Sequence, residues 1–138
     1  MALAIVVTLE KDLPAVTAAY AKAGTGKALA READRLDSAA RSRGLSPITG
    51  LLSENQAVLG ARMQANGFDT SKMRLPTEVW YGAADGLKTV RALAEYVTAR
   101  MNDFKQPNAI LRDLKAAETL LRAAEIAGVK FHFTKTEL

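Results

Sequence analysis

Apolar and polar positions alternate with a period of two near both ends of the chain and with a helical period through most of the middle. Over residues 2–9, Leu3, Ile5, Val7 and Leu9 share one face while Ala4, Val6 and Thr8 share the other. Both faces are largely apolar, the pattern of a covered strand. Further on, Val129, Phe131 and Phe133 alternate with Lys130, His132 and Thr134, which predicts a half-buried strand with His132 turned away from the phenylalanines. The β-branched and aromatic run Thr77 to Tyr81, closed by Gly82, predicts a short third strand.

Helical signals fill the interval between these runs. Pro14 suits the first turn of a helix reaching about Ala23, and Gly24 to Gly26 interrupts it. From Lys27 to Arg43, Leu29, Ala33, Leu36 and Ala40 mark the buried stripe of one helix, with Gly44 at its end. Ser53 and Gln56 have capping-box spacing and open a helix to about Asn66, stopped at Gly67. Residues 68–76 read as a loop closed by Pro76. A long helix from Ala83 or Asp85 to about Asn102 carries Leu87, Val90, Ala94, Val97 and Met101 on one stripe. Asn108 caps the next, whose stripe is Ile110, Leu114, Ala117, Leu121 and Ala124, and Gly128 ends it. Two strands alone cannot bury an apolar face. The expectation is therefore an α+β fold: a single, mostly helical domain over 1–138, with a three-stranded sheet built from the N-terminal strand, the strand near 77–81 and the C-terminal strand.

Composition narrows the chemistry. The chain has 138 residues, 26 alanines, one histidine and no cysteine. Leu, Ile, Val and Phe account for 33 positions, about 24% and above the level at which disorder sets in. Without cysteine there is no disulfide, thiolate nucleophile or iron–sulfur site, and a lone histidine removes sites that need two imidazoles. No cofactor and no metal site are expected. The first nine residues have no basic flank and end at Glu10, Lys11 and Asp12, so they read as a strand and not as a signal or membrane segment. A cytoplasmic location and no membrane partner are the corresponding expectations.

A net charge of +4 raises nucleic-acid binding, and Lys27, Arg31 and Arg35 fall on one helical stripe that could meet phosphates. Glu32, Asp34 and Asp37 interleave with them, no aromatic residue lies on that helix, and a solvated face is the preferred reading. Asp34 and Asp37 themselves read as local partners of the neighbouring arginines. The string Gly24 to Lys27 resembles the end of a phosphate loop but lacks its first glycine and its final hydroxyl, and reads as a hinge.

The corner from Trp80 to Gly86 is the better place for a ligand. Trp80 beside Tyr81 offers a flat surface, Gly82 and Gly86 allow close approach, and free amides at the helix start attract anions. Asp85, however, would itself satisfy the helix dipole and oppose a bound anion. The plainer reading is a strand-to-helix corner with an acidic cap and Trp80 in the core. His132, the one side chain suited to proton transfer near neutrality, is the companion candidate. With so little catalytic equipment, the first functional expectation is a small non-enzymatic interaction module (an inhibitor, immunity-type or adaptor protein) that binds another protein. The alternative is a small-ligand binder or enzyme using Trp80, Tyr81, Gly82, Asp85, Gly86 and His132. A nucleic-acid binder acting through Lys27, Arg31 and Arg35 comes third, and a homo-oligomeric assembly stays open.

Overall fold

The computed structural model describes residues 3–54, 56–69, 71 and 77–137. In chain order these form β1 (Leu3–Leu9), α1 (Pro14–Ala23), α2 (Lys27–Arg31), α3 (Ala33–Ser42), a 3-10 turn at Ile48–Leu51, α4 (Gln56–Ala65), α5 (Ala83–Ala99), a second 3-10 turn at Met101–Asp103, α6 (Pro107–Ala127) and β2 (Phe131–Glu137). The loop expected over 68–76 falls largely outside the described residues.

β1 and β2 pair antiparallel from Leu3 opposite Glu137 to Leu9 opposite Phe131. The register aligns Ile5, Val7 and Leu9 with Lys135, Phe133 and Phe131 on one face, and Ala4, Val6 and Thr8 with Thr136, Thr134 and His132 on the other. The first face is the core face. Ile5, Phe131 and Phe133 are essentially inaccessible and join one cluster with Leu87, Val90, Leu114 and Leu121 of α5 and α6. Burying each such side chain stabilises the fold by about 1.5–3 kcal/mol. α5 lies along α6, and α1 and α2 pack against the other side of α6.

The expected third strand is absent as a strand: the sheet among the described residues has two. Tyr81 and Phe131 exchange two backbone hydrogen bonds, of 2.7 and 2.9 Å, and the pairing goes no further. Two segments divide the outer edge of β2 between them, because Leu52 bridges Phe133 in parallel and the Ser53 amide donates to the Phe133 carbonyl at 3.0 Å. Upstream of Tyr81, the Val79 amide donates to the Ser53 hydroxyl instead of to β2. Downstream, α5 begins at once. The Ser53 hydroxyl thus serves Val79, and the capping role its spacing suggests falls on a helix start that lies partly outside the described residues.

The single helix expected over 27–43 is broken at Glu32, whose φ of −104° and ψ of 16° leave the α region and separate α2 from α3. Two buried carboxylates brace this part of the chain. Asp113 of α6 accepts the backbone amides of Thr25 and Ala28, each at 3.2 Å, so it satisfies the start of α2 from a distance. Asp37 accepts the amide and the hydroxyl of Thr49. It is therefore an anchor for the 48–51 turn, not the arginine partner expected from its neighbours.

Gly24 to Lys27 is a hinge between α1 and α2, as read. Gly26 has φ of 79°, which favours glycine, and a Cβ there would strike the Ile5 carbonyl. That approach lets the Gly26 carbonyl accept the Ile5 amide at 3.0 Å, while the Tyr20 hydroxyl accepts the Val7 amide at 2.9 Å. The outer edge of β1 is thus closed by α1 and the hinge, which removes an exposed template for pairing. No helix among the described residues is long and apolar enough to cross a membrane.

Candidate functional site

The second face of the sheet carries hydroxyls. Strand alternation aligns Thr8 with His132 and puts Thr134 and Thr136 on the same side of β2. The segment 77–79, the residues after the 48–51 turn, and α4 stand around this face and enclose an open cleft of about 1060 Å³. Ser53, Glu78, His132 and Thr134 are among its polar lining, with Leu3 and Val79 as exposed apolar positions on it. Arg62 of α4 and Glu54 form an ion pair at 2.7 Å within the same cleft.

His132 lies at the floor, 1% exposed, with both ring nitrogens engaged. Its Nε2 is 2.8 Å from Glu78 Oε2. Its Nδ1 is 3.1 Å from the Phe133 carbonyl and 3.2 Å from the Thr134 hydroxyl, which in turn is 2.7 Å from the Thr8 hydroxyl. A carboxylate only accepts, so Nε2 carries the proton toward Glu78. In the neutral ring, Nδ1 accepts from Thr134. In the charged ring, Nδ1–H donates to the Phe133 carbonyl. Either state leaves the buried imidazole satisfied, so no water is required to hold it.

Trp80 closes the other side of the imidazole, its ring centroid 4.4 Å from that of His132 at a 35° tilt. The structure therefore brings together Trp80 and His132, which the ligand-binding alternative pairs, and it sets the Glu78 carboxylate against the imidazole. The side chain of Glu78 is 22% exposed. One of its oxygens is fixed by His132, and among the described residues Oε1 receives no hydrogen bond.

No residue of the Trp80–Gly86 corner lines the cleft itself, and Trp80 reaches it only through its contact with His132. Tyr81 forms the bridge to Phe131, its ring 6.4 Å from the Phe131 ring. Gly82 is the exposed residue before α5, and Asp85 is exposed in the first turn. Gly86 is buried against Phe131, with no space for a ligand there. Arg31 and Arg35 are committed elsewhere too. Arg31 donates to Gln106 at 3.1 Å, and Arg35 donates to the Asp103 carbonyl with its guanidinium 4.5 Å from the centre of the Phe104 ring. They tie α2 and α3 to the turn before α6, and exposed Lys27 makes no such tie among the described residues.

Glu78 was invisible in the sequence because its partner lies 54 residues away; no local spacing encodes that meeting. Among the described residues no group of three His, Cys, Asp or Glu side chains is arranged to hold a metal ion. Comparison with protein-family models, with curated proteins and with solved structures gave no match.

Proposed function

We propose that the protein is a recognition module that seats a short, donor-rich peptide segment of a partner protein in the cleft over the hydroxyl face of its sheet. The observation that carries this reading is the half-held carboxylate of Glu78. His132 fixes one oxygen at 2.8 Å, and Glu78 itself lines the cleft. A pre-positioned acceptor spends little ordering entropy on binding a peptide amide, a lysine or an arginine. The hydroxyls of Thr134 and Ser53 supply further polar contacts, and the exposed side chains of Leu3 and Val79 supply apolar ones. Such a mixed lining suits an amphipathic segment better than a purely apolar ligand.

The test is a titration of isotope-labelled protein with short synthetic peptides that are uncharged, lysine- or arginine-bearing, or glutamate-bearing. Neutral and cationic peptides are expected to move the amide resonances of Ser53, Val79 and Thr134, and Glu78→Gln to weaken them by roughly tenfold. If none of the peptides moves those resonances at millimolar concentration, the reading falls.

One observation favours a second reading. Thr134, His132 and Glu78 follow one another in the hydroxyl, imidazole, carboxylate order that activates nucleophiles in hydrolases. On this reading Thr134 Oγ1 attacks the carbonyl of an activated ester as His132 Nδ1 takes its proton, and the ester C–O bond breaks to expel the aryloxide. A water deprotonated by the same imidazole then hydrolyses the threonyl ester. Turnover of a nitrophenyl ester that disappears in Thr134→Val would support it, and unchanged turnover in that variant would remove it.

A further inference from the structure

On the far side of α6 from α5, α1 leaves a second concavity. α1 has ten residues and buries none of them completely. Half-buried Val16 and Tyr20 and exposed Ala19 and Ala23 line the concavity together with Ala116 and Leu120 of α6. Leucines at 19, 23 and 116 would fill such a seam. The alanines present leave about 220 Å³ between the helices, almost all of it apolar. Arg112 and Lys115, about one turn apart on α6, line the same groove. Both are exposed, and among the described residues neither takes part in an ion pair. The carboxylate next in sequence, Asp113, is buried and accepts the Thr25 and Ala28 amides, and its electrostatic effect reaches Tyr20 on the α1 side of the groove, away from any ion pair with Arg112 or Lys115.

We infer that this groove binds a free, medium-chain aliphatic monocarboxylate, with its hydrocarbon along the alanine-lined trough and its carboxylate between Arg112 and Lys115. Charge and size select this occupant. Two cations without acidic partners beside an apolar channel call for an anion with an apolar tail. The volume lies below the roughly 300 Å³ at which drug-sized pockets begin.

Octanoate is the probe, kept below its micellar concentration and titrated into the isotope-labelled full chain, with octan-1-ol as the uncharged control. Octanoate is expected to shift the amides of residues 16–23 and 112–120 saturably, and octanol to bind about tenfold more weakly. Ala19→Leu fills the trough from an exposed position outside the core, and should weaken both ligands by about tenfold with the melting temperature unchanged. Arg112→Gln with Lys115→Gln should reduce octanoate to the level of octanol and leave octanol alone. Three results would overturn the proposal: shifts that do not saturate, shifts that persist in Ala19→Leu, or shifts centred on the exposed Phe68 and Ile126. So would an octanoate-free spectrum in which these amides move on dilution, since a second copy of the chain would then be the occupant.

Discussion

The ring of Phe131 occupies the space that any side chain at position 86 would need: a Cβ on Gly86 would strike Phe131 Cζ and lie 2.8 Å from Cε1 and 3.1 Å from Leu121 Cδ1. Phe131 is fully buried and cannot swing away. Gly86→Ala gains about 1 kcal/mol of helix propensity but overpacks a rigid site, a cost of about 1–3 kcal/mol or more. We expect net destabilisation of about 1–2 kcal/mol by urea unfolding. A stabilised Gly86→Ala would show that the strand and α5 are less closely packed than described.

Removing either member of the His132–Glu78 pair should have unequal consequences. His132→Ala empties a fully buried site and strips the fixed partner from Glu78, so a loss of about 2–4 kcal/mol is expected. Glu78→Gln keeps an oxygen for Nε2–H and should cost about 1 kcal/mol or less. Trp80 is the only tryptophan, so its emission should change in His132→Ala. An unaltered spectrum would contradict the ring contact.

Tyr20 makes stability fall at high pH. Burial, the largest effect, pushes its phenol up from 10.0 to about 12, partly offset by the hydrogen bond from the Val7 amide. A raised folded value means that its contribution is complete below about pH 10 and is lost between about pH 10 and 12, as the unfolded chain ionises first. The expected loss from this group is roughly 2 kcal/mol. Tyr20→Phe should be less stable at neutrality, for want of an acceptor for Val7, and its curve should approach that of the parent as pH rises through this window.

Asp113 satisfies two amides at the hinge and the start of α2. Asp113→Ala should cost about 2–3 kcal/mol, since it strands buried donors. Asp113→Asn keeps one acceptor and should recover part of the loss. Equal stability of both variants with the parent, in chemical denaturation, would mean that solvent already serves those amides.

Local signals were readable in proportion to how local their causes are. α1 runs over Pro14–Ala23, and α6 ends at Ala127 before Gly128, because proline and glycine act through their own backbone geometry. The alternation of Phe131, His132 and Phe133 correctly set the phenylalanines in the core and His132 on the opposite face. Asn108 does not cap α6, because Pro107 is already in its first turn. The break at Glu32 was hidden, since the apolar stripe from Leu29 to Ala40 continues across it. The strand at 77–81 failed for a tertiary reason: its propensity was real, but Ser53 captures Val79 and Leu52 takes part of the edge it needed. In the site, His132 and Trp80 were legible as residue types suited to chemistry. Their contact, and the arrival of Glu78, depend on segments that meet only after folding.

The pairing of β1 with β2 also governs when the molecule can assemble. The hydroxyls of Thr8 and Thr134 touch across 126 positions of sequence, and closing a loop of that length costs about 4 kcal/mol of chain entropy. During synthesis, the first strand leaves the ribosome long before its mate exists. Until then Ile5 and Val7 are an adhesive ribbon with one flank bare, and the helical layer must gather early enough to shelter it. Delay in translating the last stretch should therefore appear as aggregation of nascent chains, not as slow turnover of finished protein.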